Sequence, residues 1–537
     1  MAFAGRSGTG VPMWLRRRYF DKELIEASFA RGIVRDVPRH TEPVGGSYDL
    51  LDYLVDFPGM IYKRGGSAYQ SLALEGETDV IGVAAPEFPG DPRVVAFLSN
   101  GSASTAYDIT TDTPGSGLDM NAAPPAENPP LYIDRLIICD GAGAYTVQKI
   151  YLDTGTVAIA DLGGTPPIAR YSTLHAGRLV LGNGTVSDVY YPNRVWFSDP
   201  LDAENAWDTA DGYIDVDEPI TGLASIQGVL IVFSRGGNQR ILGDVPPGYG
   251  TAASLVNMSL QPASRVGCID ARSIVKDDTW IYVANETGLF AVNGAGDESL
   301  TTRPDATGIN QLWNSMIDGF APALGSVVAS GVFNNHLFVT VTRRANEEFA
   351  ITGQRDTICR YLPTGSWVRL SDGCGAFMYA TRFAPFYEMY YGLNDESADD
   401  SNRARRMSPI FTPGSTNPQD PDGTDIEPLW TTRTLGMQAG VGNKHYDLAH
   451  LTYKMVSDDT PTLVATYALG LEAAGASGTI PESPFAKSAE LTRLRFAMGR
   501  ESQGFTLSLQ QSGSSEQTQI MLLEYLVRTL DPGGGGD

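Results

Sequence analysis

The side chains that could do chemistry are few or poorly grouped. The chain has five histidines, His40, His175, His336, His445 and His450. His445 and His450 stand five apart, on opposite faces of a strand, which makes a poor zinc pair. Carboxylates are abundant, and two short stretches concentrate them: Asp211, Asp215, Asp217 and Glu218, then Asp420, Asp422, Asp425 and Glu427. Hard oxygen ligands at that density suit Ca²⁺, but neither stretch follows the spacing of a twelve-residue calcium loop. The expectation is therefore solvated acidic loops. Gly141-Ala-Gly143 follows an apolar run, yet it lacks the third glycine and the helix of a dinucleotide loop, and it reads as a hairpin turn. The four cysteines, Cys139, Cys268, Cys359 and Cys374, contain no C-x-x-C pair, and buried free thiols are expected. The patterns G-x-x-x-x-G-K-[ST], H-E-x-x-H and G-x-S-x-G do not occur. The expectation is no catalytic residue, no cofactor-binding residue and no metal ligand.

The elements that would position such groups are strands. From about residue 70 to 395 an apolar, β-branched run repeatedly ends at a turn and gives way to a second run. The runs are Arg93–Leu98, Arg135–Cys139, Arg178–Leu181, Val229–Phe233, Trp280–Val283, His336–Thr340 and Glu388–Tyr391. Turn residues follow most of them: Asn100-Gly101, Asp140-Gly141, Gly182–Gly184, Arg235–Gly237, Asn285–Gly288 and Gly392–Asn394. The starts lie between 42 residues (Arg93 to Arg135) and 56 residues (Trp280 to His336) apart. A hairpin returning at that period is what a four-stranded propeller blade produces. The expected fold is all-β: a β-propeller of six or seven blades over 70–427 with loop insertions, then a β-sandwich-like domain over 428–531. Ile309–Met316 is the best candidate for a short helix within the propeller.

Ser397–Glu427 is polar and turn-rich and reads as an exposed loop or boundary. Beyond it, strands are expected at 451–455, 463–467, 491–496, 505–509 and 520–527, where Arg493–Phe496 alternates basic and apolar residues. Residues 532–537 read as a flexible tail. Residues 1–69 read as an N-terminal arm and lead-in segment, locally basic through Arg16, Arg17, Arg18, Arg31, Arg35 and Arg39, with a short helix over Lys22–Ala30. Such an arm suits docking on an acidic neighbour or wrapping its own domain.

Composition agrees with many short strands. The 59 Gly and 33 Pro of this 537-residue chain are spread along it, as tight turns require. A net charge of −24 weighs against sequence-independent DNA binding through counterion release, and it suits a wall along which DNA slides without sticking. The first residues lack the apolar core of a signal peptide, and no run of about 18 apolar residues predicts a membrane span. Synthesis in a reducing cytoplasm is expected.

Asn193–Asp244 is more distinctive: a strand ending Trp196-Phe-Ser-Asp199, an acidic loop closed by Trp207, Ile214-Asp-Val216, Ile220-Thr-Gly-Leu223, and an apolar strand ending in Phe233 before Ile241–Asp244. With Gly32–Asp36, Pro58–Gly66 and the closing strands of Arg493–Leu526, it resembles propeller-bearing bacteriophage tail proteins: nozzle, tail-stabilisation and minor tail proteins. The resemblance implies a virion tail subunit made in the host bacterial cytoplasm, forming a homo-oligomeric ring with six-fold symmetry favoured. It implies part of the DNA ejection conduit, with neighbouring tail or adaptor proteins and tail fibres as partners. The alternative is a tail-tip propeller that binds a host surface glycan or receptor. A carbohydrate-active enzyme ranks third, because no carboxylate pair is singled out and the Ser-x-Asp-x-Gly-x-x-x-Trp box of sialidase-type propellers is not visible.

Overall fold

A computed structural model describes residues 79–317 with short breaks, 328–333, 335–342 and 355–370, and outside these the strands named below. Its centre is a seven-bladed β-propeller. Each blade is an antiparallel unit of four strands, a to d from the axis outward. Blade one is Asp79–Ala84, Val95–Ser99, Ser104–Asp108 and Thr113–Leu118. Blade two is Leu131–Tyr132, Arg135–Ile138, Gln148–Asp153 and Thr156–Asp161. Blade three is Ile168–His175, Arg178–Val186, Val189–Phe197 and Tyr213–Asp215. Blade four is Ile220–Ile226, Val229–Ser234, Asn238–Leu242 and Ser259–Ser264. Blade five is Val275–Lys276, Ile281–Asn285, Gly288–Val292 and Asp297–Ser299. Blade six is Val328–Phe333, His336–Thr342, Arg355–Tyr361 and Ser366–Leu370. Blade seven takes strands a to c from Met378–Ala380, Met389–Gly392 and Ala404–Met407, and its outer strand, Ser67–Tyr69, comes from before blade one.

That borrowed strand closes the ring, since the chain's early segment hydrogen-bonds to its last blade. Side chains seal the same joint: Tyr390 of blade seven lies in one apolar cluster with Val80, Leu98 and Tyr107 of blade one. Comparable clusters join blades one to two, two to three, three to four and four to five. Each b strand is pressed between two neighbouring blades, so both of its faces are buried; Leu179, Val180 and Leu181 are all fully buried. Burial on both faces selects a continuous apolar run over alternation.

Tight a–b and c–d connections use backbone that ordinary residues resist. Ala176-Gly177, Gln227-Gly228 and Thr154-Gly155 all have positive φ at both positions, the geometry that matches hairpin twist. Gly182–Gly184, expected as a turn, is instead a bulge inside blade three's b strand, where Asn183 has φ +54°. A Cβ on Gly184 would meet the Ile168 carbonyl oxygen at 2.5 Å, so glycine permits the close strand approach. The true turn is Ser187-Asp188. The helix expected over Ile309–Met316 is present as Asn310–Ile317, and it buries Leu312, Trp313 and Met316.

The remaining strands form the second lobe, built from both ends of the chain. One sheet orders Tyr53–Val55, Ile61–Lys63, Thr518–Leu530, Lys444–Met455 and Thr492–Ser502, with Tyr19–Glu26 also paired to Thr518–Leu530. The expected helix over Lys22–Ala30 is therefore corrected. Tyr19–Glu26 is a strand in register with 523–530, because a lone nine-residue helix is marginal and a long partner strand is at hand. Residues 1–69 are likewise not a separate arm in their described part, since their strands enter both lobes. A second correction falls in Ser397–Glu427: Ala404–Met407, expected in a loop, is the c strand of blade seven. The remainder of that stretch lies outside the described residues.

The other sheet begins inside the propeller. Blade six continues through Gly32–Ile33, Gly46–Leu51, Leu429–Thr432, Phe505–Ser512, Thr462–Leu469 and Ser477–Thr479, making one ten-stranded sheet. At the seam Gly32 pairs with Trp367 in parallel, and the Asp52 N–H donates to the Arg369 carbonyl at 2.8 Å. Arg369 also donates to Asp49 at 3.0 Å, and Trp430 Nε1 donates to Ser47 Oγ at 3.1 Å. A single apolar cluster runs across it, from Tyr282, Trp313, Phe338 and Trp367 to Tyr53, Trp430, Leu507 and Leu509.

Candidate functional site

The a–b and c–d connections share one face of the propeller. On it, three consecutive blades place an arginine at the start of strand b, and each reaches the c–d connection of the next blade. Arg93 donates to the Gly155 carbonyl of blade two at 3.2 Å and pairs with its own blade's buried Asp108 at 3.0 Å. Arg135 meets Glu204 of blade three at 2.5 Å. Arg178 donates to the Asp244 carbonyl of blade four at 3.3 Å and to the Ser198 carbonyl at 2.7 Å. Arginine suits the position because its fork spans two acceptors at once.

Blade two carries the richest of these joints. Glu204 Oε1 accepts from both Arg135 and Lys149, and Arg135 Nε pairs with Asp134 Oδ1 at 2.7 Å. Burial opposes ionisation of Glu204, but the hydrogen bonds from Lys149 and Arg135 outweigh it and hold its pKa below the ordinary value. The Arg135 hydrogen bond does the same for Asp134. These groups, with Phe88, Pro89, Tyr151 and Leu152, line a cleft of about 450 Å³ over the end of blade two. The Lys149 ammonium sits 5.6 Å from the Tyr151 ring centroid. Two large apolar side chains are exposed on the same face, Ile133 in the a–b turn of blade two at 57% and Leu201 in the c–d connection of blade three at 70%. Both adopt positive φ, +59° and +58°, a conformation that costs a non-glycine residue on the order of 1 kcal/mol or more. A second cavity of about 360 Å³ lies on the opposite face at blade four, lined by Asp217, Glu218, Gln239 and Arg265 among others.

The residues singled out in the sequence do not converge. His175 is buried at the joint of blades three and four; its Nε2–H donates to the Gly243 carbonyl at 3.0 Å, so Nδ1 of the neutral ring accepts from Ser225 Oγ at 2.9 Å. Burial lowers its pKa and favours that neutral form. His336 is buried in blade six, 4.8 Å from the Tyr361 ring. His445 and His450 lie on the strand Lys444–Met455, and His40 lies outside the described residues. Asp215 is taken by Arg194 at 2.7 Å and Asp217 by Gln239 at 2.5 Å, while Asp211 and Glu218 are exposed. Gly141–Gly143 and the cluster from Asp420 to Glu427 fall outside the described residues. Cys139, Cys268 and Cys359 are buried and not in disulfides, and Cys374 is outside the described set. The cleft was not foreseen, although a signal existed: Arg93, Arg135 and Arg178 each open an apolar run at the same point of the repeat.

No protein-family model matches the chain, and no curated protein does. Among solved structures, similarity is found to the WD40 domain of Neurospora crassa Pan2, at 8% identity and a TM-score of 0.33 over 64% of this chain and 94% of that one. A glycoside hydrolase family 43 arabinoxylan arabinofuranohydrolase from Bacillus subtilis is similar at 9% identity and a TM-score of 0.24, over 84% and 96%. The AfRom2 CNH domain is similar at 11% identity and 0.25, over 41% of this chain and 63% of that chain's length. The propeller assignment stands on the sheet order of the chain itself.

Proposed function

We propose that this protein is a non-catalytic structural subunit of a bacteriophage tail, a nozzle- or hub-like ring component forming part of the DNA ejection conduit. The observation that carries the reading is the continuous ten-stranded sheet from blade six into the terminal lobe. Two lobes on a flexible linker would swing independently, whereas a shared ladder and a shared apolar cluster make them one body. Rigidity of that kind suits a piece that must hold a channel open. The net charge of −24 suits a wall along which DNA passes without binding. At the blade-two cleft both carboxylates are held ionised by cationic partners, and a glycosidase acid requires the reverse shift.

Native mass spectrometry of the purified chain tests the proposal. A single closed oligomer, with six subunits favoured, is expected. A monomer that turns over a polysaccharide would overturn it.

A further inference from the structure

We infer that the cleft over blade two is a binding site for a neutral saccharide, taken end-on between blade one and the c–d loop of blade three. The class of ligand follows from charge and shape. Two cations, Arg135 and Lys149, are matched by two carboxylates, Asp134 and Glu204, so the cleft has no net charge. An added anion would meet Asp134 and Glu204, and an added cation would meet Arg135 and Lys149. A hydroxyl group both donates and accepts, so it joins such a paired set without unbalancing it. The ion pairs from Arg135 and Lys149 both end on Glu204 Oε1, and among the described residues Oε2 remains to accept from a ligand hydroxyl.

The walls supply the other half of sugar recognition. Tyr151, Pro89 and Leu152 present apolar surface to the C–H face of a pyranose ring, while the charged groups address its edge. A volume of about 450 Å³ lies within the range of small-molecule sites. The floor is preorganised, because Arg135 and Lys149 are already fixed on Glu204 and lose little freedom when a ligand arrives. The site belongs to one propeller and does not depend on a ring assembly.

Titration of the full chain with maltose, cellobiose and N,N′-diacetylchitobiose, followed by saturation-transfer NMR, tests the inference. At least one of these is expected to bind saturably. Tyr151→Ala and Glu204→Gln should each weaken it tenfold or more, while Tyr151→Phe keeps the ring and retains binding. Asp188→Asn, at a turn on the opposite face, should bind as the parent does. Melting temperatures of all four variants separate a lost site from a lost fold. Absence of saturable binding by all three sugars overturns the inference, as does binding that Tyr151→Ala and Glu204→Gln leave unchanged.

Discussion

At the residue scale, the inter-blade arginines differ in what they protect. Arg93 is 8% exposed and its partner Asp108 is fully buried, so removing the cation leaves a buried carboxylate held only by neutral donors from Thr110 and Thr111. Arg93→Ala is expected to cost about 3 kcal/mol, read from urea denaturation midpoints. Glu204 is 32% exposed and its pairing is partly screened; Glu204→Gln should cost about 1 kcal/mol or less. The pH dependence has a definite sign. His175 is held neutral by burial, with its folded pKa below 6.5, so its contribution is complete above that value and is lost as pH falls through the window beneath it. Denaturation midpoints should therefore drop between pH 7.5 and 5.5. His175→Gln, which cannot titrate, should flatten that drop even if it starts lower.

At the element scale, the seam between blade six and the terminal lobe hinges on one glycine. Gly32 has φ +61°, and a Cβ there would meet the Trp367 backbone at 2.4 Å. Gly32→Ala should lower the melting temperature of both lobes together, by more than an exposed turn glycine such as Gly90, whose Cβ would meet nothing within 4 Å. The sequence exposed the propeller through its b strands: all seven apolar runs are the second strand of a blade, buried on both faces and so unbroken by polar residues. The inner and outer strands, shorter or mixed in polarity, carry no such mark; Val275–Lys276 and Leu131–Tyr132 have two residues each. Ring closure by Ser67–Tyr69 and the entry of Tyr19–Glu26 into the terminal sheet were not legible. Their partners lie hundreds of residues away, and local propensity does not register them. The cleft was hidden for the same reason, because Glu204 reaches Arg135 and Lys149 only once blades two and three are side by side.

At the scale of the whole molecule, propeller and terminal lobe share a ladder and a core that includes Trp313, Trp367 and Trp430, all fully buried. Calorimetry should therefore show one cooperative transition and not two, and Trp430→Ala should shift it by about 3–5 kcal/mol without splitting it. A rigid two-lobed body with a net charge of −24 would suit the closed ring proposed above. Single-particle electron microscopy of the purified protein, classified for rotational symmetry, tests that claim most directly. Closed rings of seven-bladed propellers around an open channel are expected, each terminal lobe fixed at one angle to its propeller. Isolated monomers at every concentration, with the terminal lobe taking many orientations, would contradict it.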